Sequence, residues 1–349
     1  MALHRIPELD RQLPKTRAYI KAALEKTGCQ VFHPVPDALC GFFDFGKKQA
    51  LVFRADMDGL PIQEKTGLDY ASAHPGQMHA CGHDGHMAVL LELARRLALK
   101  RENPYNVLLL FQPAEETSGG ARELCRSGLF EKYAVRAVFG LHLWPGLGEG
   151  LIASRPGVLM CRSCGVTVRF TGRSAHVARS KEGRDAMAAC VSFYTRTARA
   201  KRRYLLLFGK MTCGTAPNCV CDSALLEGTL RAFDRRVFTR RKKRLLALAR
   251  RAAEKAGCQA EISFSDGYPA LINPPRLLRK VQAQVPFRVL PSPFLTTEDF
   301  SYYLAQCPGL FFLLGTGTTP PLHADDFVFD PKILLKGADF FEKLAGASL

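Results

Sequence analysis

The chain has 349 residues, 47% of them hydrophobic, and a formal net charge of +17. That length exceeds what one hydrophobic core usually organises, so two domains are expected, and no apolar stretch reaches the ~18 residues of a membrane span. Twelve cysteines are spread along the chain, which excludes a small disulfide scaffold and reads as reduced thiols packed as small apolar groups.

Taken in chain order, the opening MALHRIPELDRQ lacks the continuous apolar run of a secretory leader, so a cytoplasmic location is expected. A helix is expected over Glu8–Lys26, then a strand over Ala50–Arg54. The string MHACGHDGH, Met78–His86, packs a thiol, three imidazoles and a carboxylate together. Cys81 and His83 are two apart and can reach a common point if the backbone is looped; thiolate and imidazole both suit zinc and similar ions. By spacing alone such a pair is commonly unremarkable. A helix follows from Gly85 to Leu99, with Val89, Leu90, Leu93 and Leu97 on one face and Asp84 placed to cap it.

An apolar run, Asn106–Phe111, leads to Glu115 and Glu116, and another, Val135–Leu141, leads to His142; His323 sits in PPLHADDF. Each lies just after a predicted strand, where α/β enzymes place their chemistry. Cys81, His83, Glu116, His142 and His323 make five candidate ligands, too many for one tetrahedral ion but suited to two ions with a bridging ligand. In a turn, adjacent glutamates can face one cavity, one binding metal and the other acting as general base; the alternative is a solvated acidic pair at a helix start.

Residues 162–268 read as an insertion. Val166–Phe170 is expected as a strand, GRDAMAACVSFYTRTARA as a helix, Leu225–Arg231 as a strand, Arg236–Ala256 as a helix and Ala260–Phe264 as a strand. That order suggests a two-layer, ferredoxin-like α/β lid. GYPALINPP marks the return to the first domain, so residues 1–161 and 269–349 form one domain. Two basic runs, Arg196–Arg203 and Arg235–Arg251, carry much of the charge. They read as solvated faces in preference to nucleic-acid surfaces, since aromatic interleaving is thin; a positive field also steers carboxylate substrates. Cys161/Cys164 and Cys219/Cys221 are close pairs without a second pair at finger-like spacing, and read as ordinary packing.

Eight ordered stretches resemble the dinuclear metal amidohydrolases that include hippurate hydrolase, plant indole-acetyl-amino-acid hydrolases, N-acetyldiaminopimelate deacetylase and aminoacylases, relatives of carboxypeptidase G. They are RADMDGLPIQE, MHACGHDGHMA, LFQPAEETSGGA, GLHLWP, GRSAH, GTLRAF, TEDFSYY and PLH, and they cover nearly the whole chain. The resemblance implies an α/β, zinc-peptidase-like catalytic domain with a mixed central sheet, a lid that dimerises, and two divalent ions per chain, with zinc or manganese ahead of cobalt or nickel. It implies Cys81 as the bridging ligand, with His83, Glu116, His142 and His323 completing the set. Glu115 matches the general base and Asp58 the aspartate supporting the site from behind. His176 matches an oxyanion-stabilising histidine, often supplied by the partner subunit, while Asn218 and Arg231 match positions that hold the substrate. The implied reaction is amide hydrolysis of N-acyl, foremost N-acetyl, amino acids. A dipeptidase or hippurate-type hydrolase is the runner-up, and a non-catalytic binding protein using the basic surface is the rival from another class. Leu143, Trp144 and Thr316–Thr319 are candidates for setting specificity.

Overall fold

The computed structural model describes residues 1–117, 119–197 and 204–349. The chain divides into two compact units. The first comprises Met1–Leu159, Ile272–Ser292 and Glu298–Leu349; the second comprises Met160–Leu271 and Pro293–Thr297. Pro293–Thr297, expected in the first domain, joins the second because Phe294 bridges Met160 and the Cys161 thiol donates to Leu295 O at 3.1 Å.

The first unit is built on an eight-stranded sheet. Its order is Gln30–Phe32, Leu39–Phe43, Asn106–Gln112, Ala50–Asp56, Val135–Trp144, Gly309–Gly315, Ile152–Ser154 and Arg288–Val289. Ala50–Asp56, Asn106–Gln112 and Gly309–Gly315 are buried at every position, as strands covered on both faces must be. Ala50–Asp56 runs parallel to both Asn106–Gln112 and Val135–Trp144, and Gly309–Gly315 runs parallel to Val135–Trp144. Leu39–Phe43 pairs antiparallel with Asn106–Gln112, and Ile152–Ser154 with Gly309–Gly315, so the sheet is mixed. Leu90 and Leu93 of one helix and Phe341 and Leu344 of another cover it in a single core. Gly140 admits Phe311 and Phe300 against the strand; a Cβ there would lie 2.7 and 2.8 Å from their rings.

Two helix starts differ from expectation. The first helix is Pro14–Glu25, not Glu8–Lys26. Proline is favoured in the first turn and excluded from the interior; Glu8 lies outside and accepts from the N–H groups of Lys15 and Thr16 at 3.2 and 2.9 Å. The second helix is His83–Leu97, entered through Gly82 at φ +80°. Asp84 therefore sits in the first turn and makes no cap bond. Its Oδ2 is 2.9 Å from His4 Nδ1, and His4 Nε2 is 3.1 Å from Glu64.

The second unit has a four-stranded antiparallel sheet ordered Gln259–Phe264, Arg162–Thr171, Ser223–Ala232 and Tyr204–Cys213. Helices Ala186–Thr197 and Arg235–Ala256 pack on it through Phe193, Cys190, Leu245 and Ala249. Strand Tyr204–Cys213 had no expectation attached to it: its first half is apolar, but Leu207, Gly209 and Met211 point outward, so its alternation is masked. Of the basic run Arg196–Arg203, residues 198–203 lie outside the described residues, as does the end of the helix expected there. All twelve cysteines are free thiols. Cys161 and Cys164 are buried on a strand side, and of the other pair Cys221 is buried and Cys219 exposed.

Candidate metal centre

The candidate ligands of the first unit gather at the C-terminal ends of its parallel strands, the usual reactive edge of an α/β sheet. Ala55, Asp56 and Gln112 end two neighbouring strands, and the segments beyond them deliver Asp58 and the Glu115–Glu116 pair. Ala114 adopts φ +58°, a left-handed conformation that non-glycine residues rarely take. It turns the chain so that both glutamates face the same space. Asp58 clamps that turn: its Oδ1 accepts from Glu115 N–H and its Oδ2 from Glu116 N–H, each at 3.0 Å.

Two histidines have their lone pairs aimed by main-chain bonds. The Nδ1 of His83 is 2.7 Å from Asp58 O, and the Nδ1 of His142 is 2.6 Å from Leu143 O. A carbonyl accepts only, so both Nδ1 atoms carry the proton and both Nε2 atoms present lone pairs. His142 Nε2 lies 3.5 Å from Cys81 Sγ. His83 Nε2 is buried and makes no hydrogen bond. His323, held at φ +68°, brings its Nε2 to 3.2 Å from Glu116 Oε1.

The donor atoms of Cys81, His83 and His142 lie within 4.8 Å of one another, and so do those of Cys81, Glu116 and His323. The two triads share Cys81, the arrangement needed for two ions joined by one ligand. Glu115 belongs to neither, but its carboxyl joins His83 and Glu116 in a third group. An orphaned buried nitrogen on His83, the Glu116 carboxylate 3.8 Å from it and a shared thiol fit a pair of cations, because a buried polar atom without a partner is otherwise costly.

Electrostatics make the same demand. Burial alone would lower the His83 pKa, but Asp56, Asp58 and Glu116 outweigh it and raise it to about 10. The surroundings thus favour positive charge at His83 Nε2, a place a metal ion takes in exchange for a proton. Burial, then Glu116 and Glu115, hold the Cys81 thiol well above its ordinary value, so its thiolate needs a cation beside it. Burial, then Glu298, Glu116 and Asp299, raise Glu115 well above the usual carboxylate range. Burial lowers the His142 pKa, which disfavours its charged form.

Behind this group lies a network that the sequence reading did not assign. The buried Arg54 guanidinium donates to Gln112 Oε1 at 2.8 Å, Asp56 Oδ2 at 2.7 Å and Asp299 Oδ1 at 2.8 Å, with Glu298 Oε1 at 3.2 Å. Asp56 Oδ1 in turn meets His86 Nδ1 at 2.6 Å, and His86 Nε2 accepts from Leu143 N–H at 2.9 Å. Asp56, His83 and His86 also cluster as candidate donors, but both nitrogens of His86 are already engaged. The signal available in sequence was a lone arginine within the apolar strand ALVFRAD.

His176, Asn218 and Arg231 are in the second unit. An antiparallel bridge between His176 and Cys219 sets His176 beside Asn218, whose O accepts from Val177 N–H at 2.9 Å. Both side chains are exposed. Arg231 is on strand Ser223–Ala232, half-buried; its Nη1 donates to Leu295 O at 2.8 Å and its buried Nε has no partner.

Known proteins resemble the chain throughout. An uncharacterized hydrolase of Staphylococcus aureus (strain bovine RF122) is 33% identical over 98% of this chain and 95% of its own. The YXEP protein of Bacillus subtilis, a dinuclear metal-binding peptidase of the M20 family, is 28% identical with a TM-score of 0.87, covering 98% of this chain and 94% of its own. An aminobenzoyl-glutamate utilization protein from Klebsiella pneumoniae shares the fold at 19% identity, with a TM-score of 0.68 over 97% of this chain and 92% of its own. The profile of peptidase family M20/M25/M40 matches residues 52–347. That span takes in the whole candidate metal centre, and the chain therefore belongs to peptidase family M20/M25/M40, as a metal-dependent hydrolase.

Proposed function

We propose that this hydrolase cleaves the amide bond of N-acyl amino acids, N-acetyl derivatives foremost, with Glu115 as general base. The observation that carries this reading is the pair of donor triads sharing Cys81 with the Glu115 carboxyl beside them. Two divalent ions held by Cys81, His83, Glu116, His142 and His323 would supply Lewis acidity toward the attacking water and the scissile carbonyl. Zinc suits the thiolate and imidazole donors, with manganese next.

Glu115 takes the proton of the attacking water and returns it to the leaving amine. Its raised proton affinity suits both halves of that transfer. Asp58 keeps the carboxyl in place through the Glu115 N–H. His176 stabilises the developing oxyanion. Arg231 and Asn218 recognise the substrate carboxylate and carbonyl, for which a planar guanidinium is suited. A homodimer formed through the second unit would carry His176 to the partner's site.

The test combines elemental mass spectrometry of protein purified without chelator with a panel of N-acetyl amino acids, hippurate and dipeptides. About two ions per chain and turnover of the N-acetyl substrates are expected. Glu115→Gln should lower kcat by at least ~100-fold with metal content unchanged. Turnover of dipeptides alone would replace the substrate assignment, and full activity of Glu115→Gln would remove Glu115 from the mechanism.

A further inference from the structure

The positive charge of this protein is not spread over it. Residues 160–271 hold 23 of the 49 lysines and arginines but only 8 of the 32 acidic residues, a net charge of +15 out of +17. The remaining 237 residues are close to neutral, at +2.

Within the second unit the charge is concentrated on the 22-residue helix Arg235–Ala256, capped by Asp234, which accepts from Val237 N–H at 2.8 Å. Its apolar stripe, Phe238, Leu245, Ala249, Ala252 and Ala253, is buried against the sheet. The opposite face bears eight exposed cations, six of them arginine, from Arg235 to Lys255. Arg236, Arg240, Lys243, Arg244 and Arg251 follow one another at helical spacing, and the row is about 23 Å long at 1.5 Å per residue. The helix itself contains a single carboxylate, Glu254. Among the described residues none of the eight forms an ion pair, whereas Arg179 and Lys210 elsewhere in the unit pair with Glu182 and Glu227.

We propose that this face docks the phosphate backbone of a double-stranded nucleic acid, without sequence selection. Charge complementarity selects a polyanion, because like charges packed this closely on a helix repel one another unless counter-charge is supplied. Arginine outweighs lysine on the face, and its fork pairs with phosphate oxygens two at a time. Single strands are disfavoured because they are held by stacking on exposed aromatic rings. Tyr204 and Phe238 are buried, and Arg241 and Lys242 cover Tyr204 and Phe264. A lipid surface is disfavoured because a membrane-lying helix needs apolar side chains on its outer face. Here only Leu246 among the large ones is exposed on the helix.

The experiment measures fluorescence anisotropy of a labelled duplex of mixed sequence, about 30 base pairs long, with the full-length protein at about 50 and about 200 mM salt. If about four phosphates are neutralised, affinity should fall roughly 150-fold between those salts. Arg236→Gln, Arg240→Gln and Lys243→Gln together should weaken binding at least ~10-fold at low salt and flatten the salt slope by nearly three. Lys47→Gln, Lys48→Gln and Arg101→Gln remove the same charge from the first unit, and binding should stay within about twofold. Hydrolase turnover of both triple variants reports that they fold. No binding at low salt, equal loss in both triple variants, or binding to vesicles rich in phosphatidylserine but not to duplex would each overturn the proposal.

Discussion

Asp58→Asn is the sharpest probe of how the metal centre is held. The aspartate is 1% exposed, and each of its oxygens accepts a main-chain N–H at 3.0 Å, one from Glu115 and one from Glu116. An asparagine of the same shape keeps one acceptor but turns the other into an NH2 facing an N–H. A hydrogen bond to a charged group contributes about 1.5–3 kcal/mol, so losing one and neutralising the other costs the turn about 2–4 kcal/mol. If that cost falls on the placement of Glu115 in the transition state, kcat drops about 30- to 1000-fold. His83 should be little affected, because it is held by the Asp58 carbonyl oxygen, which the substitution leaves in place. The assay is kcat and KM at saturating metal, with metal content measured in parallel. A variant with kcat within about threefold of the wild type and full metal content would refute the clamp. It would assign the turn instead to Ala114, whose O accepts from Gly119 and Gly120 N–H at 2.9 and 3.2 Å.

Arg54→Met should destabilise the first unit by about 3–5 kcal/mol in chemical denaturation, because it leaves Asp56, Glu298 and Asp299 buried without their cation; a loss below about 1 kcal/mol would show that the network is solvated or protonated. Cys81→Ala removes the donor common to both triads, so metal content should fall from about two ions to one or fewer; retention of both would end its bridging role. His4 offers a pH test. Burial lowers its pKa, but Asp84 and Glu64 outweigh burial and raise it from 6.5 to about 8. A raised pKa stabilises the fold fully below pH ~6.5 and loses that contribution as pH climbs through ~8, about 2 kcal/mol in all. The stability difference between wild type and His4→Gln should therefore shrink between about pH 6 and pH 9, and a constant difference would count against a charged His4.

The candidates Glu116 and His142 were legible because chemistry-bearing residues followed apolar runs, and strand ends are where such a sheet exposes them. The shared face of Glu115 and Glu116 was legible only as an option, since it depends on Ala114 taking φ +58°. No rule of composition would assign that angle to alanine. The Arg54 hub stayed hidden for another reason: its partners Asp56 and Asp299 are 2 and 245 residues away, and only the fold brings the second near. Asp84 shows how a local rule can mislead. It stands where a cap is expected, yet Gly82 lets the helix begin at His83, and the carboxylate serves His4 instead. The sequence disfavours a nucleic-acid surface because aromatic interleaving in the basic runs is thin. The partition of charge favours it: residues 160–271 hold +15 of the net +17, and eight of their cations are exposed on one helix.

Because Gly309–Gly315 is threaded between Val135–Trp144 and Ile152–Ser154, a nascent chain cannot close its larger sheet until residue 315 has left the ribosome. The four strands of the insertion are all made by residue 264. Synthesis therefore sets an order, in which the basic unit assembles while the edge of Val135–Trp144 waits unpaired, the state in which strands recruit wrong partners. A chain stopped near residue 300 would carry a finished insertion on an unfinished scaffold, with the candidate group of Cys81, Glu116 and His323 still lacking its third member.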